Sequence, residues 1–147
     1  MMVARFRVAT RASSDNTGIR RNVYVHVYDD REKMARAHAA ARARNYDPAD
    51  DVAGGMAMQT THGFRWPSPD PGPVLVIRLW TGQITTRTIA HEAAHAAAAI
   101  FFMDHMRGWD SRARAVLIGD HEPLAYAVGD ITSDIVANLY RLKLLPN

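Results

Sequence analysis

A chain of 147 residues is the size of one domain, and residues 1–147 are read as a single unit with bulk enough for a core. At 48% apolar and 22% charged residues its composition is ordinarily globular, with a net charge of +3 and a pI near 9.6. The absence of cysteine excludes a disulfide framework and restricts any zinc site to histidine, carboxylate and water. No apolar run reaches the roughly 18 residues of a membrane span, so no membrane partner is expected. Arg5 and Arg7 interrupt the N-terminal stretch, which therefore lacks the apolar region of a signal peptide, and a cytoplasmic setting is the expectation. Sixteen of the 18 basic residues are arginine, scattered among aspartates, as a coding bias produces; nucleic-acid contact is the functional alternative.

The elements follow in chain order. Residues 2–8 alternate, with Ala4, Phe6 and Val8 on one side and Arg5 and Arg7 on the other, as in a half-buried strand. A loop over 10–21 leads to a second alternating run at 22–28, and the two strands are expected to pair as a hairpin. Asp29, with Glu32 three residues on, marks the start of a helix to about Arg44, with Met34, Ala37 and Ala41 on its apolar stripe and a basic opposite face. Residues 51–62 are a weaker strand in which Gly54-Gly55 signals a bulge or a close backbone approach. The stretch 66–73 holds four of the seven prolines and reads as a surface loop. Residues 74–80, VLVIRLW, are the clearest strand, apolar enough to be buried on both faces.

Thr85 or Thr86 then caps a long helix over 85–106. His91, Glu92 and His95 form H-E-x-x-H, which turns two imidazoles one helical turn apart towards one metal ion and leaves a carboxylate beside them. The helix continues Ala96 to Met103 without a polar face, which predicts burial in the middle of the domain. The last helix runs from about Asp120 to Leu144, with Pro123 in its first turn and Leu124, Val128, Ile131, Ile135 and Leu139 as its core stripe.

A catalytic zinc commonly takes three protein ligands and a water. His26, His62, His105, His121 and Glu122 are the candidates for the third. His105 lies ten residues beyond His95 on the same helix, about 15 Å by helical rise, which is too far. The longer metzincin pattern is excluded, because Ala98 and Phe101 stand where it needs glycine and histidine. Glu122, opening a helix that must pack beside the first, is the foremost candidate, with His121 its competitor.

HEAAH on its helix, preceded by a strand and followed by a helix carrying a glutamate, resembles the gluzincin branch of zinc metallopeptidases, its minimal single-domain members in particular. The pairing of HEAAHA with HEPLAYAVGDIT is also similar to small phage- and prophage-encoded proteins with the same motif. The resemblance covers roughly residues 74–140. It implies an α+β, zincin-like fold: a small twisted mixed sheet packed on the central motif helix, a backing helix, and a C-terminal helix carrying the third ligand. It also implies Zn2+ held by His91, His95 and Glu122, with Glu92 as general base. The chain departs from the thermolysin pattern at Tyr126, where that pattern has aspartate; Asp130 stands one turn further on.

The expected activity is hydrolysis of a peptide bond in a protein or peptide substrate, which adds as a strand to a sheet edge, residues 56–62 being the candidate. Tyr126 is read as a packed aromatic rather than an oxyanion donor. The alternative is a non-catalytic, zinc-stabilised module that binds a partner protein; retention of Glu92 opposes it. A third reading, a protease acting near DNA, rests on the arginine-rich helix at 31–44 alone.

Overall fold

The computed structural model describes residues 1–11, 20–49, 54–59, 74–105 and 122–145. Its strands are β1 (Met2–Thr10), β2 (Arg21–Tyr28), β3 (Gly54–Gln59) and β4 (Val74–Trp80); its helices are α1 (Arg31–Ala41), α2 (Thr86–His105) and α3 (Glu122–Arg141), with a 3-10 turn at Thr81–Gln83. The strands form one mixed sheet in the order β1-β2-β4-β3. β1 and β2 pair antiparallel, as the alternation predicts, β2 and β4 pair parallel, and β3 returns antiparallel along the outside of β4. The fold is a small mixed α+β arrangement.

Period-2 patterning divides the sheet into two faces. On the first, Phe6, Val8, Val23, Val25, Val27, Leu75, Ile77 and Leu79 form one core with Ile89, Ala93, Ala96, Ala97 and Ile100 of α2 and Ala127, Ile131, Ile135 and Leu139 of α3. Each isoleucine or leucine removed from water there contributes about 1.5–3 kcal/mol, which makes this layer the main source of stability. On the second face Tyr24, Val74 and Val76 cluster, and α1, with Met34 and Ala35 buried, lies over β2, β4 and β3. Coverage from both sides explains the apolar run of β4, which is buried from Val74 to Arg78 and on to Leu79.

The element ends differ from the sequence reading in informative ways. The N-cap of α1 is Asp30, whose Oδ1 accepts from the Lys33 amide at 2.9 Å; Asp29 pairs instead with the Met1 amino group. α1 stops at Ala41 rather than Arg44, because Ala43 adopts φ 52° and closes the helix. The Arg44 amide donates to the Ala39 carbonyl at 2.9 Å and the Ala43 amide to the Ala40 carbonyl at 3.1 Å, the two bonds of a Schellman motif. α3 ends the same way, with Lys143 at φ 58°, Leu144 donating to Leu139 at 2.9 Å and Lys143 to Tyr140 at 3.0 Å. Glycine usually occupies this position, and without it neither stop is marked in the sequence. Thr85 is the cap of α2, its Oγ1 accepting from the Thr88 amide at 3.1 Å.

Gly55 marks a close approach rather than a bulge. Its pairing with Arg78 keeps register, and a Cβ there would stand 2.5 Å from the imidazole of His38, which reaches down from α1.

Candidate metal centre

The centre is built on α2, held against the first face of the sheet beside β3 and β4. Its inward arc is Ile89, Glu92, Ala93, Ala96, Ala97 and Ile100; its outward arc is Ala90, His91, Ala94, His95 and Ala98. The expectation of a helix buried all round is therefore corrected. Alanine hid the two-sidedness, since its small side chain serves both as core and as surface. The same alanines flank the histidines on their own helix, and both histidines are exposed.

The two imidazoles converge. Their Nε2 atoms lie 3.2 Å apart and their ring centroids 4.8 Å apart, with ring planes at 77°. Two nitrogens bound to one zinc at the usual distance and a tetrahedral angle stand about 3.3 Å apart. The i, i+4 geometry of α2 thus supplies the nitrogen spacing that such an ion needs.

Glu92 sits at the margin between the two arcs, 6% exposed. No hydrogen bond from the described residues reaches its carboxylate. Burial pushes its carboxyl above the ordinary carboxylate range, while the charges of His91 and His95 pull it back. A buried carboxylate that receives no donor from the described residues is one that a cation or a bound water could satisfy. These groups could hold a divalent ion: two imidazole nitrogens at ligand spacing, with a carboxylate next in sequence to one of them.

Glu122 opens α3, which packs along α2, but its side chain, like that of His105, lies outside the described residues, as do His62 and His121 entirely. Among the described residues no group of three His, Cys, Asp or Glu side chains is close enough to hold an ion. His26 is removed from the candidates by topology. It pairs with Arg78 on β4, in the row that continues to Gly55 beneath His38, on the face covered by α1 and away from α2.

Two further expectations change. Tyr126 is 63% exposed, not a packed aromatic. Asp130 is engaged elsewhere, its Oδ2 accepting from Thr10 Oγ1 at 2.8 Å at the end of β1. A feature missed by the sequence reading is the row Arg5–His26–Arg78 across three strands, with Arg78 only 5% exposed. The signal was present: a charged residue interrupts a strand that is otherwise apolar on both faces.

Comparison of the chain with protein-family models, with curated proteins and with solved structures gave no match.

Proposed function

We propose that the protein is a zinc-dependent peptidase with a zincin-like domain. The observation that carries the reading is the pair of Nε2 atoms 3.2 Å apart on an exposed helix face, with the buried carboxylate of Glu92 beside them. His91 and His95 would hold the ion, and Glu122 of α3 would complete the set. When bound, zinc supplies a Lewis acid and lowers the pKa of a coordinated water to about 7.

The remaining work falls to the chain. Glu92 accepts a proton from the water that attacks the scissile carbonyl and passes it to the leaving amine. Its desolvated position suits that task, since a carboxylate held above its usual pKa is a better base and can carry the proton between the two steps. Among the described residues β3 is an edge strand, paired with β4, and α2 packs beside it. An extended peptide adding along β3 would run close to the motif helix, which gives the substrate a register. The open outward arc of α2 favours catalysis over a closed structural zinc site, where a base next to a ligand has no task.

The test uses the purified protein loaded with zinc and a broad peptide library. Glu92→Gln should lower cleavage by about 10²–10⁴-fold with zinc content unchanged. Equal cleavage by wild type and variant would remove Glu92 as the base.

A further inference from the structure

The net charge is not spread through the fold. Residues 1–49 carry ten Lys or Arg against five Asp or Glu, whereas residues 74–147 carry seven of each. The first stretch forms β1, β2 and α1, and α1 lies on the face of the sheet opposite α2. Arg5 and Arg7 alternate onto that face, and Arg31, Lys33, Arg36, Arg42 and Arg44 belong to α1 or follow it, so seven of the ten share one layer.

The cross-strand register shows how they are placed. Arg5 pairs with His26, His26 with Arg78, and Arg78 with Gly55, so one row crosses all four strands. The imidazole of His38 occupies the space that Gly55 leaves. Arg5 and Arg7 are exposed on β1 at one end of this row, and Arg42 and Arg44 are exposed just past α1 at the other. Three strand spacings separate the ends of the row, about 14 Å. His26 and His38 report the field between them. Both are lowered to about 4, by burial first and then by Arg78, with Arg5 acting on His26 and Arg42 and Arg44 on His38.

The described carboxylates of this layer are engaged within it. Asp30 caps α1, Glu32 bonds Arg36 at 2.8 Å, Asp29 pairs with Met1, and Asp47 accepts from the Ala49 amide at 2.9 Å. Asp29 and Glu32 are thereby paired with cations, while Asp30 and Asp47 keep their charge and are outnumbered by the arginines of the layer.

We propose that the α1–β1 layer docks the phosphate backbone of a nucleic acid, with Arg5, Arg7, Arg42 and Arg44 as its contacts. Guanidinium forks match phosphate oxygens in pairs, and a patch of one sign steers a polyanion towards it. A nucleic acid is favoured over a lipid surface because α1 turns Glu32, Lys33, Arg36 and Ala40 outward, and the exposed large apolar side chains of the layer among the described residues, Met1, Met2 and Val3, are confined to the start of β1. The proposal is independent of the metal centre, which lies across the sheet.

The experiment measures fluorescence anisotropy of a labelled DNA duplex and of a labelled single strand against the whole protein, over a salt series. Binding should weaken steeply with salt, with a slope of about −3 to −4 for four phosphate contacts on duplex. Arg5→Glu with Arg7→Glu, and Arg42→Glu with Arg44→Glu, should each weaken binding at least about tenfold. Arg87→Glu with Arg141→Glu, on the α2–α3 side, should change it less than about twofold. Glutamine at the same positions, which removes charge without reversing it, should give the same ranking. No binding at low salt, or equal loss from both sides of the molecule, would overturn the proposal. So would binding to phosphatidylserine-containing vesicles with none to DNA.

Discussion

At the scale of single residues, the molecule uses its imidazoles in two ways. His91 and His95 stand exposed with nitrogens turned together, whereas His26 and His38 are half-buried beside Arg78 and stay neutral. The second pair links stability to pH. In the unfolded chain both would take up a proton below about 6.5, but in the folded protein they resist until about 4. Their contribution is therefore complete above about pH 6.5, falls progressively as pH drops towards 4, and then levels off. The melting temperature of wild type should decline across that window. His26→Gln and His38→Gln should each flatten the decline, by less than a full proton's worth because both rings keep some contact with solvent. Parallel melting curves for wild type and both variants would show that these imidazoles are not the groups responsible. Glu92 belongs to the same scale. Its type and spacing were legible from the motif, but its burial was not, because nothing local in HEAAH says which side of the helix faces the sheet.

At the scale of elements, alternation and helical spacing located every described strand and helix. β4 was read with its observed bounds, and the core stripe of α3 was right at Ile131, Ile135 and Leu139. The ends were harder. Asp29 and Asp30 are adjacent and chemically alike, so only the backbone decides which of them caps α1. Ala43 and Lys143 hold left-handed conformations that side chains ordinarily resist, at a cost of about 1–2 kcal/mol each. Both are exposed, so glycine can enter without losing packing. Ala43→Gly and Lys143→Gly should each stabilise the fold by about 0.5–1 kcal/mol, the unfolded chain's extra freedom offsetting part of the gain. Chemical denaturation would register this as a higher midpoint at unchanged slope. A lower midpoint in both variants would mean that the left-handed caps are not strained.

At the scale of the whole molecule, the sheet separates two chemistries. One face supports α2 and α3, with the convergent histidines of α2; the other carries the basic row beneath α1. Only the first was legible in the sequence, because H-E-x-x-H is local and its geometry follows from helical pitch. The second depends on parallel pairing of β2 with β4, which joins His26 to Arg78 across a long sequence separation that no local pattern encodes. The packing of α3 along α2 was expected and is observed, while the side chain of Glu122 lies outside the described residues. The most direct test of the central claim is zinc content after loading and exhaustive dialysis, measured by elemental mass spectrometry on wild type, on Glu92→Gln, and on His91→Asn with His95→Asn. About one zinc per chain should remain in wild type and in Glu92→Gln, and almost none in the histidine double variant. Equal zinc in wild type and the double variant, or none in either, would contradict the assignment of His91 and His95 as the grip on the metal.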